Sequence, residues 1–282
     1  MNSISLEDPY KAGENENGYF NMLIAENKLC WDMLGKKFQD IEKEQLAPQW
    51  TGEYTRNRGE PNLSKGLARY MEKYWFGGIP VDWEGVCIQN GCVSSMEGLV
   101  HLLANPGDTV IVPGPCYSVF VVDWWVRCQT RLEAAHTSLE TNFEPTLESL
   151  EDAYNRAVAG GSRVKALALI QPNNPTGRML SKRCLEMCLK WAYEKGIHII
   201  SDEIYAISIF EGNKMISMAG IWHELIDQKK DDAHMMHFLK NYCHITGGLA
   251  KDFGLSGFRI GICYTYNEEV RAAFSRIFGY LL

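Results

Sequence analysis

No apolar run in these 282 residues approaches the ~20 residues that a membrane-spanning helix needs. The most apolar stretch, 119–126, is interrupted by Asp123. Nor is there a dense Lys/Arg block: 28 basic side chains stand against 35 acidic ones, and the net charge of −7 argues against an electrostatic nucleic-acid binder. The first residues, Met1-Asn2-Ser3-Ile4-Ser5-Leu6-Glu7-Asp8, have neither the basic region nor the apolar core of a signal peptide. CxxC and HExxH pairs are missing too. His234, His237, Cys243 and His244 therefore lack the tight ligand spacing that marks a zinc site, and no metal is expected. Nine cysteines, an odd number scattered through apolar segments, suit reduced core thiols better than a disulfide framework, and a cytoplasmic protein is expected.

What is present is an ordinary globular composition, 46% hydrophobic and 22% charged. The first twenty residues, with Pro9, Gly13 and Gly18, read as an extended arm. Cys30, Met33, Leu34, Phe38 and Ile41 recur at helical spacing and predict a helix over 27–46; a second is predicted over 63–75. After Gly85 short apolar strands, at 86–88, 109–112, 164–170, 197–200, 242–245 and 259–264, alternate with helices such as 94–103, 147–159 and 181–194. Such alternation predicts an α/β fold with a mostly parallel sheet flanked by helices, in which ligands bind beyond the carboxyl ends of strands.

Three stretches fall at such ends. In Gln89-Asn90-Gly91-Cys92-Val93-Ser94-Ser95, Gly91 permits a tight turn, and the N–H groups of Cys92, Val93 and Ser94 open a helix, an arrangement suited to a phosphate; capping by Ser94 or Ser95 is the plainer alternative. In Gln171-Pro172-Asn173-Asn174-Pro175-Thr176-Gly177, two prolines constrain a loop that presents the Asn174 amide. In Ser201-Asp202-Glu203-Ile204-Tyr205, Asp202 ends a buried strand, a costly place for a carboxylate without a cationic or hydrogen-bonding partner; a helix-capping Asp and a half-buried Tyr are the alternative. Further on, Lys251 sits among glycines and apolar residues that partly desolvate its amine, a setting that suits a Schiff-base nucleophile, with Arg259 eight residues beyond as a fork for phosphate or carboxylate.

Together these stretches resemble the class I/II aminotransferase family of pyridoxal-phosphate (PLP) enzymes. QPNNPTG is similar to the family's NPxNPxG loop, SDEIY to its [ST]DEIY strand end, AKDFGLSGFRIG to its lysine block, and Asn105 to Tyr117 to its PGDxVxxPxPxY segment. Asp8-Pro9-Tyr10 and the stretch 23–30 extend the likeness to the 1-aminocyclopropane-1-carboxylate (ACC) synthase-like branch. The resemblance implies the large domain of the aspartate-aminotransferase fold over 51–282, cut short at its C-terminus with the small C-terminal domain missing, preceded by an arm and helix over 1–50. It implies PLP carried on Lys251, with Asp202 pairing the ring nitrogen, Asn174 and Tyr205 on the C3 oxygen, and Tyr117 stacked on the ring. Arg259 and the backbone of Cys92 and Val93 are then expected on the phosphate, and Glu26 near the substrate.

The expected function is accordingly PLP-dependent amino-acid metabolism in a homodimer, as a transaminase of the ACC synthase-like branch. The alternatives are an ACC synthase-type lyase acting on S-adenosylmethionine and a catalytically silent binding or regulatory protein of the same fold. Three departures from the family pattern bear on this. Gly248 replaces a phosphate-binding serine, Val93 a hydroxyl residue, and Asn57 a tyrosine that reaches the partner's cofactor. Each removes a hydrogen bond to phosphate, worth roughly 1 to 3 kcal/mol. The resemblance implies that the arginine gripping the substrate carboxylate in the family is not expected among these residues, since Arg271 and Arg276 fall on a helix predicted over 268–278.

Overall fold

The computed structural model describes residues 7–20, 25–26, 29–44 and 56–277. The chain divides into two compact units, residues 1–46 and 47–282. In the first, 7–20 does not extend as an arm but folds back on itself. Tyr19 N donates to Asp8 O at 2.8 Å, the Asn15 amide donates to Asp8 Oδ1 at 2.6 Å, and Tyr10 stacks on Phe20 at 4.1 Å. The helix predicted over 27–46 spans Trp31–Glu44 among the described residues.

The second unit is built on seven strands: β1 (Val86–Asn90), β2 (Thr109–Gly114), β3 (Arg131–His136), β4 (Val164–Ile170), β5 (His198–Asp202), β6 (Cys243–Gly248) and β7 (Ile260–Thr265). They lie side by side in the order β1-β7-β6-β5-β4-β2-β3. The run from β3 to β6 is parallel, and β7 is antiparallel to both its neighbours. This mixed, mostly parallel sheet bears out the α/β expectation. The reversal at β7 has a local cause: only the 249–259 connection separates it from β6, and a parallel return needs a crossover of a dozen or more residues, usually a helix. β3 was not expected, because Arg-Leu-Glu-Ala-Ala-His has no continuous apolar run. As an edge strand it is only partly buried.

Helices cover both faces. One packs Trp191, Trp222, Leu185 and Leu189 against the sheet, the other Met96, Phe120, Trp124 and Phe274. Each such side chain contributes roughly 1.5 to 3 kcal/mol on burial. Local signals set the boundaries. Ser181 caps the helix Lys182–Lys195 through Cys184 N, and Gly196 ends it with φ 64°. The helix predicted over 63–75 is two elements, an α-helix Pro61–Tyr70 and a π-helical turn Met71–Trp75. Among the described residues, no helix is long and apolar enough to cross a membrane.

Strand direction gathers the candidate stretches. β1, β2, β4, β5 and β6 all point the same way, so Asp202 ends a strand, and Gly91, Tyr117, Asn174 and Lys251 follow strand ends, on one edge of the sheet. Arg259 reaches that edge from the opposite sense, immediately before the reversed β7.

Candidate functional site

Asp202 is buried at the last position of β5. Its Oδ1 accepts from the Cys92 thiol at 3.4 Å and from Ile204 N at 3.2 Å. A thiol is a weak donor, and although the Thr246 side chain also hydrogen-bonds the carboxylate, no cation acts on it among the described residues. Burial pushes the carboxyl up to about 6, against the opposing pull of the Cys92 and Ile204 hydrogen bonds. The next residue makes the contrast. Glu203, equally buried, accepts from Trp75 Nε1 at 2.6 Å, Ser217 Oγ at 2.6 Å, Ser201 Oγ at 2.8 Å, Met218 N at 2.8 Å and Gln171 Nε2 at 3.4 Å. Of two adjacent buried carboxylates, both raised by burial, Glu203 accepts from five protein donors and Asp202 from three, Cys92, Ile204 N and Thr246.

Tyr205, half-buried, accepts from Asn174 Nδ2 at 3.4 Å. Burial raises its phenol and the Asp202 charge raises it further, with Tyr117 also acting on it. Tyr117 in turn is raised by burial and by the Asp123 and Asp202 charges, and its ring meets Phe120 edge-on at 5.3 Å. Asn173 Nδ2, donating to Pro115 O at 3.3 Å, ties the Asn174 loop to the Tyr117 loop. Asp202, Tyr205, Asn174, Tyr117 and Cys92 thus form one electrostatic neighbourhood.

The phosphate-suited stretch also takes the expected form. The helix Cys92–Leu103 opens at Gly91, with φ 86° and no side-chain cap, so neither Ser94 nor Ser95 caps it; Ser94 Oγ donates to Asn90 O instead. A Cβ on Gly91 would overlap the Arg259 guanidinium, and one on Gly261 would overlap the Gly91 carbonyl and Cys92 N. Backbone N–H groups, a helix N-terminus and an exposed guanidinium therefore converge around a surface that only glycine leaves open. Val93 is the second residue of that helix and half-buried.

Lys251 is half-buried in the turn that leaves β6. Its carbonyl accepts from Gly254 N at 3.2 Å, and the following Asp252 accepts from Ser208 Oγ at 2.5 Å and Ile207 N at 3.1 Å. These bonds anchor the lysine turn to the loop that follows Tyr205. Glu26 lies in the 1–46 unit and is exposed. Sequence reading passed over Glu203 and Asp252, although each directly follows a singled-out residue; Trp75 and Tyr70, their distant donors, carried no local signal.

The donor set fits PLP. Asp202 lacks a cation that a protonated ring nitrogen would provide, Tyr205 and Asn174 offer donors beside it, and the Gly91 cradle with Arg259 suits a phosphate. Two open grooves of about 380 and 420 Å³ lie elsewhere, around Trp125 and Arg131, and include none of these residues.

The sequence profile of the family described as aminotransferase class I and II matches residues 22–278. The chain belongs to that family. Among its relatives, ACC synthase 2 of Solanum lycopersicum is 32% identical over 269 residues, covering 93% of this chain and 54% of the relative. A human protein named "probable inactive 1-aminocyclopropane-1-carboxylate synthase-like protein 2" is 34% identical over 288 residues, covering 98% and 47%. The chain thus spans about half the length of these relatives. Among solved structures of the family's fold, an aspartate aminotransferase mutant of Thermus thermophilus superposes with TM-score 0.64 at 27% identity, covering 80% of this chain and 54% of that one. An aromatic aminotransferase of Pyrococcus horikoshii superposes with TM-score 0.71 at 20% identity.

Proposed function

We propose that this chain binds pyridoxal 5′-phosphate at Lys251 and acts on amino acids as a transaminase of the ACC synthase-like branch. The observation that carries the reading is the contrast at the end of β5 between Glu203, with five protein donors, and Asp202, raised to about 6 by burial with a weak thiol among its three. A carboxylate held there is positioned for one protonated nitrogen, and the family's cofactor has one. PLP, when bound, supplies an electron sink for charge developing at the substrate α-carbon.

The protein's own groups would do the rest. Asp202 keeps the proton on the ring nitrogen, and Asn174 and Tyr205 hydrogen-bond the C3 oxygen. Tyr117 covers the ring face. Arg259 and the N–H groups of Cys92 and Val93 hold the phosphate. Lys251 anchors the cofactor covalently and moves the proton at the substrate α-carbon. A homodimer, with Glu26 toward the substrate, completes the proposal.

The likeness to the tomato enzyme supports a second reading, a lyase acting on S-adenosylmethionine. The relative named as probably inactive supports a third, a silent binding protein. Borohydride treatment after PLP addition, followed by peptide mapping, should place the label on Lys251 and not in Lys251→Ala. Amino donors with a keto acid should then turn over without release of methylthioadenosine from S-adenosylmethionine. Absence of both PLP uptake and label would overturn the cofactor reading; release of methylthioadenosine would transfer the activity to the lyase, and PLP binding without either turnover to the silent protein.

A further inference from the structure

Two aromatic side chains, five residues apart, each reach a carboxylate at the cofactor end of the sheet. Trp75 Nε1 donates to Glu203 Oε2 at 2.6 Å, and Tyr70 Oη donates to Asp252 Oδ2 at 3.4 Å. At 3.6 residues per turn, positions five apart on an α-helix are rotated by about 140° and face apart. Here the helix Pro61–Tyr70 runs into a π-helical turn, Met71–Trp75, closed by Phe76 N donating to Met71 O at 2.6 Å. An i→i+5 turn brings residues five apart onto one face, and the two rings stand 6.4 Å from each other.

Each carboxylate adjoins a residue of the proposed cofactor set. Glu203 follows Asp202, and through Gln171 Nε2 it also holds the start of the loop that carries Asn174. Asp252 follows Lys251 and binds Ile207 N and Ser208 Oγ, just after Tyr205. The Trp75 ring has a further contact: it fills the space beside Gly247, where a Cβ would overlap it, four residues before Lys251. Tyr70 also meets Phe253 edge-on at 5.1 Å, two residues after the lysine.

We propose that this π-helical turn is a brace for the cofactor anchor, in which Trp75 on Glu203 and Tyr70 on Asp252 fix the spacing between Asp202 and Lys251. The proposal rests on the cofactor reading above. Neither Glu203 nor Asp252 is a cofactor ligand in it; both are positioning residues. An α-helical continuation would carry one of the two aromatic donors away from its carboxylate, which gives the local irregularity a purpose.

The test uses the full chain with Trp75→Phe and Tyr70→Phe, each of which removes a donor and keeps the ring. Ser217→Ala is the control, since it removes a donor to the same Glu203 oxygen from the start of another helix. In PLP-free protein, amide exchange across 247–254 should rise about ten-fold in both aromatic variants and stay unchanged in the control. With PLP, both should weaken binding about ten-fold and shift the pH at which the lysine-bound chromophore titrates. Exchange across 247–254 that matches wild type in both variants would overturn the brace, as would exchange raised equally by Ser217→Ala. If wild-type protein takes up no PLP, the cofactor reading fails, while the exchange comparison still decides the brace.

Discussion

The Arg259 guanidinium lies against the backbone of Gly91, at the point where the helix Cys92–Leu103 begins, and a Cβ there would stand 2.9 Å from its Cζ. With φ 86°, Gly91 also holds a conformation that side chains rarely adopt. Arg259 itself is left-handed, at φ 52°, and its Nη1 donates to Ser256 O at 3.0 Å. Arg259→Gln should therefore weaken PLP binding by roughly ten- to a hundred-fold, the effect of one charged hydrogen bond, while the unfolding midpoint hardly moves because the side chain is exposed. Equilibrium titration beside thermal denaturation measures both. Gly91→Ala should weaken binding as well, and lower the midpoint.

Gly248 presents a sharper case, because it stands where the family pattern has a serine. A Cβ at 248 would meet Ile260 O at 2.5 Å and Gly261 Cα at 3.2 Å, both main-chain atoms of the adjacent β7. Gly248→Ser restores the hydroxyl but forces β6 and β7 apart. The expected outcome is lower stability, by about 1 to 3 kcal/mol, with PLP affinity no tighter than in wild type. Tighter binding at unchanged stability would show that the two strands have room.

Asp202 links cofactor binding to pH. Its folded carboxyl is raised, chiefly by burial, so the stability it contributes is present below the ordinary carboxylate range and is lost as pH rises through about 6. Asp202→Asn removes that loss. At pH 7 the PLP-free variant should be more stable than wild type, by on the order of 1 to 3 kcal/mol in denaturant unfolding, yet bind PLP far more weakly. An Asn variant that keeps wild-type affinity would remove Asp202 from the cofactor site.

His198 and His244 pull the opposite way with pH. Their ring nitrogens meet at 3.1 Å, and His244 also contacts Thr265 Oγ1 at 2.9 Å. Burial lowers His198 to about 4, helped by the Lys165 charge, and holds His244 well below its ordinary range. Tyr242, stacked on His198 at 4.4 Å, completes their surroundings. For a depressed histidine the stability is present above about 6.5 and lost as pH falls toward 4. Between pH 7.5 and 5 the wild-type urea midpoint should fall more steeply than that of His198→Gln. Parallel curves would show that the pair does not couple to folding.

His234 and His237 are exposed on the helix Ala233–Asn241 while His244 is buried in β6, and among the described residues no group of three His, Cys, Asp or Glu side chains is placed to hold a metal.

Much of the architecture is written in local pattern. Apolar runs such as Val164–Ile170 mark strands buried on both faces, and Ser181 and Gly196 bracket a helix, because capping and burial act over a few residues. The four motifs likewise carry the family from sequence alone. β3 carries no such mark because an edge strand needs no apolar run, and the helix Met218–Gln228 lies outside the stretches that periodicity picks out. The segment 7–20 looked extended because its order comes from Asn15 and Tyr10 meeting residues across a turn, not from a regular repeat.

The site divides along the same physical line. Which residue types can serve PLP was decided by the sequence, since Lys251, Asp202, Asn174 and Arg259 stand in motifs whose chemistry is local. The tertiary structure supplied the physical difference between Asp202 and Glu203, its neighbour of identical charge. The donors that saturate Glu203 include Trp75, Gln171 and Ser217, which come from separate elements, and the π-helical turn that aims Trp75 and Tyr70 has no periodic signature in the residues that form it. Compensation of a buried charge depends on what the fold brings to it from a distance, and that cannot be read from the five letters around Asp202.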